Sequence, residues 1–272
     1  MRILNICSSS IANFFEGILR PAQLLWAERA LVRMLLRREI ASRTAGTFLG
    51  ATWLVAQPAL QILGMWFFLT VVLRVRTTGT LPFMDYFLVG MICWTMLSEI
   101  WQRSTTVLVE FSTLYHKTIF PIAVLPLLPI LVSGTIYSLV LTVVAGWLDG
   151  PMAALAAMCT IVLLLIWTVP IAYGLAVLGL FVREVRQTIP FVITVFMYLT
   201  PILYMPQQLP EYLRDWSAIN PMADCMALVH AIVQGQDYSL GNIMRPLCLW
   251  LIITPLAWLL FKRSESHMRE AL

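Results

Sequence analysis

Thirty consecutive residues, Thr44 to Leu73, carry no formal charge, and similar apolar blocks recur as far as Phe261. At a rise of about 1.5 Å per residue, roughly 20 apolar residues cross the hydrocarbon core of a bilayer as a helix, so each block is long enough to span. A folded soluble domain cannot bury so many continuous apolar runs. Only 12% of the 272 residues are charged and 60% are hydrophobic, well away from soluble composition. Function therefore lies in moving or signalling something across a membrane.

Charged residues divide the chain into six expected spans, at about 48–73, 84–106, 122–147, 152–181, 188–205 and 246–261. The reading is an all-α integral membrane protein with three segments: 1–46 with an interfacial helix, 47–263 with the six spans, and 264–272 as a tail. Pro58, Pro170, Pro201 and Pro255 fall inside spans, where neighbouring helices satisfy the backbone groups that each proline frees. The first twenty residues have no compact apolar run followed by a small-residue cleavage site, so no cleavable signal peptide is expected.

Orientation follows from arginine and lysine, which resist translocation when close to span ends. With both termini cytoplasmic, fourteen basic residues lie inside and only Arg74, Arg76, Arg214 and Arg245 outside, which accounts for all eighteen. The expectation is a multi-pass chain with both termini on the cytoplasmic side. The net charge of +4 reflects orientation and requires no nucleic-acid partner.

Ahead of the first span, Leu24, Leu25, Leu31, Val32, Leu35 and Leu36 share one helical face, opposite Arg29, Arg33 and Arg37, with Arg38 beside them. That pattern predicts an amphipathic helix lying in the membrane interface. Between spans five and six, Leu209 to Ile219 and Met222 to Val233 read as two short helices, too short to span and suited to a re-entrant or external gate hairpin.

Catalytic chemistry needs a nucleophile, acid, base or metal at one depth, and the spans hold almost nothing ionisable. The five cysteines and three histidines are scattered, without CxxC or HExxH spacing, so no metal is expected. Glu99 is the main intramembrane charge, and Arg103, four residues on, is its expected partner on the same helix face. A P-loop needs a lysine after glycine, whereas the two lysines follow His116 and Phe261. The chain is thus expected to be no enzyme and to hold no cofactor; if it pumps, an ion gradient supplies the work, or a separate ATPase that itself binds ATP and magnesium.

Two turns on the basic side are candidates for receiving force from such a subunit. One runs through Tyr115, His116, Lys117, Phe120 and Pro121, and the other holds Arg183, Glu184 and Arg186. Both combine charge with apolar anchors, and positive-inside patterning explains them equally well. Aromatics are plentiful; most belong to lipid-facing belts or packing, but flat faces along a wide pore would let a sugar chain slide past. Trp66, Phe67, Trp94, Tyr198 and Tyr204 are the candidate pore-lining residues.

Specific runs of residues carry a family resemblance. Arg38, Glu39, Ile40, Arg43, Thr47, Leu49, Gly50, Trp53 and Pro58 resemble the approach to the first span in permease subunits of bacterial ABC exporters for O-antigen, teichoic acid and capsular polysaccharide. Leu114, Lys117, Phe120, Pro121, Leu125 and Pro126 resemble the family's loop between spans two and three, and Phe181, Arg183, Glu184 and Val185 its next cytoplasmic turn. Thr200, Pro201, Ile202 and Tyr204, with Leu209, Pro210, Asn220, Pro221 and Met222, resemble its external segment. Departures are Thr44 in place of an aromatic, Thr113 in place of Asn, and Glu184 in place of Asp. The resemblance implies a homodimeric permease with two copies of a separate ATPase, exporting a lipid-linked glycan such as O-antigen or capsule. The loop from Tyr115 to Pro121 would be the main coupling element. A permease for drugs or lipids is the alternative, since it shares the six-span plan.

Overall fold

A computed structural model describes residues 19–75, 83–112, 120–205, 209–210, 220–235 and 239–271, and every regular element in them is helical. Helical backbone over 19–27 leads into α1 (Arg29–Thr44). The next helix, α2 (Trp53–Phe67), is flanked by a 3₁₀ turn at Gly50–Thr52 and a π-helical turn at Phe68–Val72. Then come α3 (Phe83–Glu110), α4 (Leu127–Asp149), α5 (Pro151–Phe181), α6 (Arg183–Leu199), α7 (Pro221–Gln234) and α8 (Leu240–Ala271).

Five helical stretches are long and apolar enough to cross a membrane: Gly50–Val72, Phe83–Glu110, Ile122–Asp149, Pro151–Phe181 and Leu240–Met268. The expected span at 188–205 is the exception. There α6 has 17 residues, its first turn is charged, and the helix stops at Thr200, where the backbone becomes extended. What remains apolar, from Ile189 on, is about 11 residues, or roughly 16 Å of helix at the standard rise. Beyond it, the buried residues Thr200, Pro201, Ile202 and Met205 turn back against the bundle.

Glycine sets two of the turns. Gly46, at φ +75°, releases the chain from α1 toward α2, and Gly150, at φ +87°, closes α4 before Pro151 opens α5. Proline suits that first helical position because its missing N–H has no intrahelical partner there. Such positive φ angles are open to glycine at little steric cost.

The core is organised around α3, which packs against α2, α4, α5, α6 and α7. Phe87, Met96, Leu97, Ile100 and Leu108 are wholly enclosed along its length. It crosses α5 at Gly179, where a Cβ would overlap the Thr105 carbonyl, so this crossing depends on the missing side chain. Aromatic packing ties α5 to α8: Tyr173 meets Phe261 and Trp258 edge-on, with centroids 5.1 and 5.7 Å apart, and donates to the Ala123 carbonyl at 2.6 Å. Indole N–H groups serve the same contact, Trp167 donating to the Pro246 carbonyl and Trp250 to that of Ile166. Each half-buried indole so used has its donor paired. The outer faces of α4 and α5 expose Leu139, Val143, Leu155, Val162 and Ile166, as lipid contact requires.

Candidate functional site: a polar cavity over a charged base

Within this apolar frame α2, α3, α4 and α6 line a half-open cavity of about 510 Å³, with Arg43 at the end of α1 at its base. Its wall is polar where the outer faces of the bundle are not. Gln57 and Gln61 come from α2, one helical turn apart; Thr95, Ser98, Glu99 and Gln102 follow along α3; Tyr137 comes from α4 and Thr194 from α6. Trp53, Pro58, Trp94, Ile136, Ile193 and Met197 supply the apolar part. Amides and carboxylates within apolar spans are tolerated where they line a cavity or pair with one another; the amides here line the cavity, and Glu99 is ion-paired.

The base is an ion-pair network joining α1 to α3, with a serine of α4 beside it. Arg43, at the last turn of α1 with a side chain only 5% exposed, donates from Nε to Glu39 Oε1 at 2.9 Å and from Nη1 to Glu99 Oε1. Ser133 Oγ on α4 lies 3.5 Å from the same Nη1. Arg103 closes the network, with Nη1 3.2 Å from Glu39 Oε1 and 3.8 Å from Glu110 Oε2. The expected Glu99–Arg103 pair is therefore replaced. Glu99 turns to Arg43, and Arg103 turns to Glu39 and Glu110, because α1 inserts a buried carboxylate–guanidinium pair between them. Sequence reasoning passed over Glu39 and Arg43 as ion-pair partners, although their i,i+4 spacing was visible. It also passed over Gln57 and Gln61, whose signal was two amides one turn apart in an otherwise apolar block.

Of the expected pore aromatics, Trp94 alone lines the cavity, packed edge-on against Trp101 at 6.2 Å. Trp66 is half-buried against the core, while Phe67 and Tyr198 are exposed on the outer faces of α2 and α6. Tyr204 lies past the end of α6 and donates to the Tyr198 carbonyl at 3.1 Å. On α1, Arg29, Arg33, Arg37 and Arg38 are exposed, opposite the buried Val32 and Leu35, and Arg38 sits 5.3 Å over the ring of Phe111. Arg183, Glu184 and Arg186 begin α6, with Arg183 and Glu184 exposed, one residue after α5 ends. Tyr115, His116 and Lys117 lie outside the described residues. Phe120 is buried and Pro121 half-buried beside it, so Phe120 anchors the end of its loop and does not face outward.

At the opposite end of the bundle, α7 is packed deeply. Asn220 caps it by accepting from the Met222 N–H at 3.0 Å, and its amide donates to Thr200 Oγ1 at 3.0 Å. The His230 ring stacks on Tyr86 with centroids 3.9 Å apart, and its Nδ1 lies 2.9 Å from Gln234 Oε1. Tyr86 in turn donates to the Pro201 carbonyl at 2.6 Å. Burial pushes the His230 imidazole down to about 4, against the opposing effect of the Gln234 hydrogen bond. Asp224 accepts from Asn242 at 3.0 Å and faces Arg245 at 3.6 Å; burial raises its carboxyl, and those two partners lower it. Of the first expected short helix, Leu209 to Ile219, residues 211–219 lie outside the described residues, while the second, Met222 to Val233, falls within α7.

Comparison with known proteins follows the same geometry. The pattern of the ABC-2 type transporter family matches residues 30–233, which hold α1 to α7 and every residue of the cavity wall. The O-antigen export system permease protein RfbA of Myxococcus xanthus is 26% identical over 260 residues, covering 93% of this chain and 98% of its own. RfbA of Klebsiella pneumoniae is 26% identical over 248 residues, covering 89% and 95%. The polysialic acid transport protein KpsM of Escherichia coli is 22% identical over 248 residues, covering 88% and 95%. With three quarters of its length matched by one family pattern, this chain belongs to the ABC-2 type transporter membrane family.

Proposed function

We propose that this chain is the membrane permease subunit of an ABC exporter that carries a lipid-linked polysaccharide across the cytoplasmic membrane, powered by a separate ATPase. The observation that carries the reading is the amide-lined cavity within an otherwise apolar bundle, set above a charge-paired base. Sugar hydroxyls need donors and acceptors along their path, and a wall of glutamine amides and hydroxyls supplies both. Relatives with polysaccharide-export names, aligned over nearly the whole chain, support the same cargo.

In this reading the apolar face of α6, with the turn at 200–205, completes a sixth span, and both termini are cytoplasmic. Two copies pair, and two ATPase subunits dock at the basic end, against Arg183, Glu184, Arg186 and the loop that carries His116 and Lys117. The α1 helix rests at the interface, its arginines toward the headgroups. Helix α7 and its neighbours gate the outer end. ATP-driven closure of the motor would push the base of α6 and α3, and the Arg43–Glu99 contact would pass that movement to α1. The test is reconstitution of the chain with its ATPase in proteoliposomes loaded with lipid-linked glycan. ATP-dependent appearance of glycan on the far side is the expected result, and its absence overturns the reading.

A further inference from the structure

The charges in the cavity wall restrict which glycan it suits, an inference that rests on the permease reading above. Among the described residues its cations are Arg43 and Arg103, and both are held by carboxylates: Arg43 by Glu39 and Glu99, Arg103 by Glu39 and Glu110. Two guanidinium groups face three carboxylates, so the wall offers no surplus positive charge. Glu99 lines the cavity with its side chain 30% exposed and meets whatever enters.

The remaining polar groups are neutral. Ser98, Thr95 and Thr194 donate their hydroxyl protons back to the carbonyls of Trp94, Met91 and Pro190 at 2.7, 2.7 and 2.8 Å, which leaves their oxygens as acceptors. Gln57, Gln61 and Gln102 have no protein partner among the described residues and are exposed, each with two donors and an acceptor free. Such a wall matches alternating hydroxyls. A run of carboxylates would be desolvated without a compensating cation, beside a carboxylate already present.

We infer that this cavity passes glycan segments of uncharged sugars and discriminates against polyanionic ones, with Gln57, Gln61 and Gln102 as the contacting side chains. The selection is electrostatic and lies at the wall. One arginine placed there would largely cancel it.

The experiment uses the full chain with its ATPase in proteoliposomes, and two probes of equal length on the same polyprenyl carrier: a heptasaccharide of neutral hexoses and a heptasaccharide of hexuronates. Export is read as glycosidase accessibility after ATP addition. The neutral probe should cross at least about tenfold faster, and Gln61→Arg should raise the relative rate of the uronate probe by a similar factor. Gln57→Ala with Gln102→Ala should slow the neutral probe while leaving the complex intact on gel filtration. Equal rates for the two probes, or faster uronate export, overturn the inference and leave the permease reading standing. Export of neither probe overturns the permease reading itself.

Discussion

Replacing Arg43 by methionine removes the cation that joins α1 to α3 and α4. In the native chain this guanidinium is nearly enclosed and satisfies two carboxylates. After the substitution Glu39 keeps Arg103 at 3.2 Å, but Glu99 loses its cation while remaining inside the bundle. Removing one member of a buried pair costs about 3–5 kcal/mol, chiefly through the charge left behind. Because Glu99 reaches the cavity and keeps part of its hydration, the lower end, about 3 kcal/mol, is the expected cost. For a chain of this size that corresponds to roughly 6–12 °C in midpoint, read by a thermal-shift assay on protein in nanodiscs. Adding Glu99→Gln should restore most of the loss, since a neutral pair carries no stranded charge. Refutation is equally concrete: a shift below about 2 °C for Arg43→Met, or a double variant as unstable as the sum of the singles, would mean that the network does not couple these helices.

Three further outcomes follow from the packing and the coupling turn. Gly179→Ala should cost about 1–3 kcal/mol, because the added Cβ meets the Thr105 backbone, which cannot yield; Gly174→Ala, with open space around it, should be neutral in the same melting assay. The His230 imidazole is held below its ordinary range, so the unfolded chain binds more protons than the folded one between about pH 6.5 and 4. Stability should therefore fall as pH drops through that window, by about 2 kcal/mol at pH 5, and His230→Phe should flatten the slope while keeping the stack on Tyr86. Arg183→Glu with Glu184→Arg should weaken ATPase binding in co-purification without lowering the permease's own midpoint, since these two side chains are exposed at the start of α6.

Much of the architecture is legible in the order of residues because bilayer physics leaves few choices. Uncharged runs of twenty or more residues in a membrane chain are read as helices, and the expected spans 48–73, 122–147 and 152–181 match the helical stretches Gly50–Val72, Ile122–Asp149 and Pro151–Phe181. Proline and glycine at 150–151 announce the α4–α5 hairpin. The helix-length rule fails at 188–205, where apolar composition continues past Thr200 but the helix does not, because Pro201 and the packing of Ile202 redirect the backbone. The site was less visible. Arg43 and Glu99 are 56 positions apart, and nothing local favours that pair over Glu99 with Arg103 until α1 is laid against α3. Phe120 looked like a docking anchor because an aromatic beside a basic loop suits either side of a surface, and only its burial decides. His230 and Asp224 sat in a short apolar segment whose depth could not be inferred without Tyr86 and Asn242.

One measurement bears most directly on the idea that this polypeptide is a conduit driven by another molecule. Purified alone in proteoliposomes containing lipid-linked glycan, it should neither hydrolyse ATP nor move glycan, and addition of its ATPase should start both. Hydrolysis or ATP-driven glycan movement by the chain alone, or no movement once the ATPase is bound, would contradict the account.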